Sequence, residues 1–182
     1  MHFFAVVVIP PDSADVHEAV VELMKPYDEE ATSDGEGFWD WWQIGGRWTG
    51  VFAEYDPVQD PENWETCFIC GGTSYRIDEI GNRTRLEDPH FTCNGCNDPT
   101  TPPGVAVKWP TQWRRYEGDI LPVRHAVRLP RVPRTLVTPE GAQHRETWNG
   151  KGFDKDPDWE NTYRRTLDKF MDFTAVVVDY HD

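Results

Sequence analysis

Two Cys-x-x-Cys pairs, Cys67-Phe-Ile-Cys70 and Cys93-Asn-Gly-Cys96, hold every cysteine of this chain. No other feature limits its folding as strongly. Two short clips, 22 residues apart, deliver four sulfurs to one tetrahedral metal ion, the donor set that zinc favours. Gly71 and Gly72 follow the first clip, and Gly95 sits inside the second. Glycine lets the backbone curl around an ion without a Cβ clash. Four thiolates close the coordination sphere, so the expected zinc, one per chain, is structural and does no chemistry. The alternatives are two disulfides in a secreted protein or a redox pair. Neither clip lies in the βαβ context that a redox pair would have.

Between the clips, residues 75–86 carry Gly81-Asn82 near their middle and read as a β-hairpin. The unit as a whole resembles a zinc ribbon. Proline-rich, acidic stretches flank it at 56–65 and 98–104 and read as linkers. The expected division is therefore an inserted ribbon over 63–100 and a body made of 1–62 and 101–182.

The body must build its core from few aliphatics. Leu, Ile, Val and Phe make up about a fifth of the 182 residues, near the range where order fails. Nine Trp and six Tyr compensate, because each buried ring removes roughly 150–250 Å² from water. Residues 3–9 form a continuous apolar, β-branched run, the pattern of a strand buried on both faces. Asp12 or Ser13 can cap a helix running to about Lys25, with Val16, Val20, Leu23 and Met24 on one face. Residues 38–55 read as two strands, or one bulged strand, broken at Gly45-Gly46. Residues 136–141 read as a strand entering a turn. Asp156-Pro157 announces a second helix, whose face is Trp159, Tyr163, Leu167 and Phe170. Residues 173–179 form a last apolar strand. This order predicts an α+β body, a ferredoxin-like antiparallel sheet with two helices on one face, carrying the four-cysteine zinc ribbon as an insert.

Charge narrows the function classes. The chain carries −14, and residues 1–66 alone carry −13. A duplex nucleic-acid binder needs cations to displace counterions, so direct duplex binding is not expected. The basic side chains gather over 105–134, from Lys108 to Arg134. No apolar run is long enough to cross a bilayer, and no export signal is apparent. Reduced thiols without an export signal predict a cytoplasmic protein that does not engage membranes.

Residues 39–50, Trp-Asp-Trp-Trp-Gln-Ile-Gly-Gly-Arg-Trp-Thr-Gly, are the least ordinary stretch. If 38–43 is extended, Asp40, Trp42 and Ile44 share one face and Trp39, Trp41 and Gln43 the other. Gly45-Gly46 permits close approach of a ligand or another backbone. Arg47 and Trp48 then offer a guanidinium fork beside flat rings, suited to a base and a phosphate or to a planar acid. At the chain's other end, Asp179 and His181 close the last strand, and His2 opens the first. Antiparallel pairing would gather them near Asp40, where they could bind a metal or move a proton. The candidate ligand site is therefore Asp40, Trp41, Trp42, Gly45, Gly46, Arg47, Trp48, Asp179 and His181. The plainer alternative is a packed core strand with Arg47 paired to Asp40.

An N-terminal strand ending Val-Val-Ile-Pro, the Trp39-to-Gly50 segment, a later Thr-Pro-Glu-Gly and a terminal Val-Val-Asp-Tyr-His together resemble a family of uncharacterised small proteins encoded by phages and prophages of actinobacteria. The resemblance implies an accessory role in a host cytoplasm and no particular activity. The first expectation is a binding protein that engages a host protein or a small, nucleotide-like ligand. The second is a hydrolase or transferase acting on a nucleotide-like substrate, with Arg47 clamping phosphate, Trp42 stacking, and Asp40 and His181 in acid–base roles. The third is an acidic nucleic-acid mimic. No phosphate loop, nucleophile elbow, zinc-protease helix or dinucleotide fingerprint occurs.

Overall fold

The computed structural model describes residues 1–31, 37–53, 55–75, 93, 95–96, 100–128, 131–148 and 151–182. By internal contacts the chain divides into two compact units, Met1–Tyr55 with Arg115–Asp182, and Asp56–Arg114. Residues 56–62 and 101–114, assigned to the body on sequence grounds, group with the cysteines.

The first unit is built on β1 (His2–Ile9) and β10 (Thr174–His181). They pair antiparallel along their whole length, from His2 opposite His181 to Ile9 opposite Thr174. Outside β10 lie two short strands at successive heights. β2 (Trp41–Ile44) pairs with residues 178–181, and β5 (Ile120–Pro122) with residues 174–176. On its other side β1 pairs in parallel with β6 (Thr135–Thr138), which turns through Pro139-Glu140 into β7 (Gly141–His144). The order is β2-β10-β1-β6-β7, with β5 also on β10. A separate small ladder joins β8 (Glu146–Trp148) to β9 (Phe153–Lys155).

The helices cover opposite faces of this sheet. Period-two alternation in β1 sends Phe4, Val6 and Val8 one way and Ala5, Val7 and Ile9 the other. The first set packs on Trp159, Tyr163 and Leu167 of α3 (Trp159–Leu167), and on Val123 and Ala126 of α2 (Val123–Ala126). The second set packs on Val20 and Met24 of α1 (Val16–Met24). The expectation of two helices on one face of an antiparallel sheet is corrected in both respects. A strand apolar on both faces has to be covered on both, and β1–β6 is a parallel pair.

Local signals explain the helix ends. Asp15, rather than Asp12 or Ser13, caps α1 by accepting the N–H groups of His17 and Glu18 at 2.8 and 3.1 Å. Those bonds, the Glu18 one foremost, hold its carboxyl below the ordinary value. Before α3, the Asp156 carboxylate takes the Asp158 N–H at 2.8 Å. Trp159, buried, donates its indole N–H to the Pro133 carbonyl at 2.7 Å, which meets the polar demand of a core tryptophan.

In the second unit, β3 (Trp64–Thr66) pairs antiparallel with β4 (Val105–Val107). β3 begins inside the stretch read as the first linker and β4 directly follows the second, so a ladder joins the two flanks of the cysteine segment. Asn63, fully buried, donates to the Pro57 carbonyl and accepts the Arg114 N–H, at 3.0 Å each. The expected hairpin over 75–86 lies outside the described residues, apart from Tyr75. Among the described residues, no helix is long and apolar enough to cross a membrane.

Candidate functional site

Two constellations stand out, one in each unit. In the second unit, Cys67, Cys70, Cys93 and Cys96 are buried, unbridged, and have all four sulfurs within 4.8 Å of one another. Cys67 Sγ lies 3.6 Å from Cys93 Sγ, and Cys70 Sγ 3.7 Å from Cys96 Sγ. A disulfide needs about 2.0 Å. A tetrahedral ion with metal–sulfur bonds near 2.3 Å has sulfur–sulfur edges of about 3.8 Å. The spacing thus fits a metal ion and excludes bridges. Ser74 and Gly95 point their N–H groups at Cys70 Sγ and Cys93 Sγ, at 3.3 and 3.4 Å, which supports negative sulfur.

Without a metal, Cys70, Cys93 and Cys96 do not ionise alike. Burial pushes Cys96 up to about 12 and also raises Cys93. Burial opposes the Cys70 thiolate too, but the Ser74 N–H, the Cys96 and Cys67 thiols and the Gly72 N–H bring it down to about 7. An arriving cation must displace protons from the reluctant members.

The first unit holds the residues of the tryptophan-rich segment. Across β1, β10 and β2, His2, His181 and Trp41 stand in register, followed by Phe4, Asp179 and Gln43. Directly opposed residues share a face, so His2 approaches Trp41 and His181 edge-on, with ring centres 5.7 and 5.3 Å away. Asp179, completely buried, accepts from His2 Nδ1 and from the Arg47 backbone N–H at 3.0 Å each. Asp40 and His181 pair at 2.8 Å on the exposed edge.

The turn after β2 explains the paired glycines. Gly45 and Gly46 have φ of +75° and +57°. A Cβ on Gly46 would sit 2.5 Å from Asp179 Oδ2, and one on Gly45 2.6 Å from Asp119 Oδ2. The double glycine lets two buried carboxylates close over the turn; no ligand is needed to account for it. Asp119 takes the Gly50 N–H at 2.7 Å, and its Oδ2 has no hydrogen-bond partner among the described residues. Burial pushes its carboxyl up to about 6, against the Gly50 N–H and the Thr49 hydroxyl, which favour the charge.

The sequence-derived site residues therefore separate. Trp41 and Gln43 do share a face opposite Trp42 and Ile44, as alternation requires. Trp42 packs toward α1, with its ring 5.4 Å from His17. The chain bends at Asp40, so Trp39 joins Trp42 with its indole N–H on the Met24 carbonyl, while Asp40 turns to His181. Only four residues after the bend are strand; the second expected strand is replaced by a 3₁₀ turn, Gly46–Trp48. Arg47 is exposed, and its guanidinium has no hydrogen bond or ion pair among the described residues. The pairing of Arg47 with Asp40 is thus replaced by Asp40 with His181.

Trp48 leads to a feature that sequence reasoning did not assemble. A cavity of about 300 Å³ is lined by His2, Phe3, Phe4, Trp48, Val132 and the arginines 131, 134 and 145. Trp48 stacks on Phe4 with ring centres 5.6 Å apart, and its indole N–H is buried without a partner among the described residues. The Arg134 guanidinium lies 3.6 Å above the Phe3 ring. Its charge, after burial, helps lower His144 below the ordinary histidine value. No ion pair joins any of the three guanidiniums to a carboxylate of the described residues. In the sequence Arg131 and Arg134 belong to the basic stretch over 105–134. Arg145 follows them only after a hairpin, and no spacing rule connects it to them.

The molecule is thus a mixed α+β body, a second unit with four clustered cysteines that could hold a metal ion, and a basic, aromatic-walled cavity. No protein-family model, no curated protein and no solved structure matches this chain.

Proposed function

We propose that this chain is a zinc-containing binding protein whose body takes a small anionic ligand. The single observation that carries this reading is the cavity bearing three arginines beside aromatic walls. Guanidiniums with no carboxylate partner among the described residues, beside a half-enclosed space, supply the planar, charge-assisted donors that phosphate and carboxylate groups accept. Phe4, Trp48 and Phe3 give flat apolar walls for a ring on the same ligand. A nucleotide-like molecule fits that pairing of charge and ring. Of the nine residues first assigned to a ligand site, Trp48 lines this space. Asp179 and the two glycines shape the turn that carries Trp48. The four cysteines would hold one zinc ion, which folds the second unit and leaves ligand chemistry to the first. On the resemblance to phage-encoded proteins, the ligand would come from a host cytoplasm, where the four thiols stay reduced.

Isothermal titration with inorganic phosphate, pyrophosphate and nucleoside mono-, di- and triphosphates tests the reading. Each arginine engaging a charged oxygen contributes about 1.5–3 kcal/mol, so Arg131→Ala and Arg145→Ala should each weaken binding about tenfold or more. Wild-type protein that binds none of these anions, or binding indifferent to both substitutions, would refute it.

A further inference from the structure

The pairing of His2 with Asp179 gives the cavity a reactive atom. Asp179 is completely buried, and its Oδ1 lies 3.0 Å from His2 Nδ1. An ionised carboxylate only accepts hydrogen bonds. The proton of a neutral His2 ring is therefore fixed on Nδ1, and Nε2 keeps its lone pair. That lone pair has no hydrogen-bond partner among the described residues, on a ring that lines the arginine cavity. The other oxygen of Asp179 is anchored by the Arg47 N–H, at 3.0 Å, in the glycine turn. The imidazole is thus oriented from behind by a buried carboxyl group, the arrangement that makes a histidine nitrogen an effective nucleophile.

We propose that His2 Nε2 accepts a phosphoryl group from a phosphoanhydride bound in this cavity, and that water then removes it. This rests on the anionic-ligand reading above. In the first step the Nε2 lone pair forms an N–P bond, and the anhydride P–O bond breaks with its electron pair on the departing phosphate oxygen. The phosphorylated ring is cationic, and Asp179 supplies the counter-charge. In the second step a water oxygen attacks phosphorus, the N–P pair returns to Nε2, and the proton of the water leaves to solvent. The sum is one anhydride and one water converted to two phosphate products and a proton.

The lining also selects the substrate class. Among the described residues, the cavity wall contains no Asp, Glu, Cys or Tyr that could protonate a leaving group. An alkyl phosphate would have to expel an alkoxide, which needs such an acid. A phosphoanhydride expels a phosphate, already stable as an anion and held by guanidiniums. The aromatic walls add a place for a base, so nucleoside di- and triphosphates are the expected substrates.

The experiment incubates intact protein with adenosine triphosphate labelled at the terminal phosphoryl group, with and without magnesium. It follows phosphate release, acid-labile protein label and equilibrium binding on the same samples. Expected are phosphate release and a label that alkali spares and acid removes, the behaviour of a phosphoramidate. His2→Gln retains an N–H for Asp179 but offers no nucleophile. It should still bind the nucleotide while losing both label and release. Binding without release or label in wild type, or release undiminished in His2→Gln, would overturn the proposal and leave the binding reading standing. Failure of wild type to bind the nucleotide would remove both.

Discussion

Replacing Asp119 by Asn tests how the Gly45–Gly50 turn is held, and its magnitude can be worked from the structure. Asp119 is 1 % exposed, has one oxygen on the Gly50 N–H at 2.7 Å, and has no partner for the other among the described residues. Burial raises its carboxyl from 3.8 to about 6. The sign follows from proton counting. Between these values the folded state holds a proton that the unfolded chain has released, so stability is greatest below pH 4 and falls as pH rises through 6. Two units at about 1.4 kcal/mol each give a cost of roughly 3 kcal/mol above pH 7. About 2 kcal/mol of that develops between pH 4.5 and pH 8.

Asparagine keeps an oxygen for the Gly50 N–H and carries no charge. Its stability should therefore lack this component. Other carboxylates pull the opposite way. Asp15 contributes stability above its ordinary value that is lost as pH falls. The difference between variant and wild type isolates Asp119. Urea unfolding at pH 4.5 and pH 8, followed by a signal from the first unit, should show Asp119→Asn gaining about 2 kcal/mol on wild type at the higher pH. Parallel pH profiles for the two proteins would show that Asp119 is not held in a raised state, and the account of the turn would fail.

Four further outcomes are expected. Metal analysis of protein prepared without chelators should find one zinc per chain, and chelation should abolish protection in 56–114 while 1–55 and 115–182 keep theirs in hydrogen exchange. Zinc uptake should release protons and weaken as pH falls, because the raised Cys93 and Cys96 must give up theirs to bind; a pH-independent affinity would contradict the thiolate set. Gly46→Ala drives a Cβ to 2.5 Å from Asp179 Oδ2 at a φ of +57°, and should destabilise by about 1–3 kcal/mol in urea. Leu167→Ala removes a fully buried side chain between α3 and β1 and should cost about 2–5 kcal/mol, with the metal content unchanged.

Much of the fold was legible wherever a residue pattern answers to local physics. The continuous apolar runs announced β1 and β10, and the capping chemistry announced α1 and α3 to within a turn. The cysteine spacing announced the four-sulfur cluster before any geometry. What the pattern did not carry was pairing. β3, β4 and β5 are three residues each; so short a run has no period to read, and each exists because a longer neighbour offers it a ladder. The side of the sheet on which each helix lies was encoded in β1, since a run with no polar face must be covered twice. The candidate site was half visible. His2, Asp179 and His181 were placed together by antiparallel register, and their meeting follows from β1 and β10 being full-length partners. Arg131, Arg134 and Arg145 were not, because they reach the cavity from a loop and from residues flanking β6 and β7. The tryptophans misled in part. Trp39 and Trp42 serve the α1 face, where their rings meet at 6.5 Å.

Charge also limits which anions the proposed site could take. A net charge of −14, most of it in residues 1–66, repels any long polyanion that approaches the surface. The cavity arginines are a local exception, and exposed charges farther away than about 8–10 Å are screened at physiological salt. A small phosphate taken into the cavity, as proposed, would touch guanidiniums directly, whereas a nucleic-acid duplex would meet the acidic surface outside. Salt should therefore act in opposite senses. Raising it from about 0.05 to about 0.3 M should weaken nucleoside triphosphate binding by screening the arginines, while relieving the repulsion of duplex DNA. Titration of both ligands at the two salt levels measures this. Tight duplex binding at the lower salt, falling as salt rises, would show that the arginines form part of an extended cationic surface and that the cavity is not what they serve.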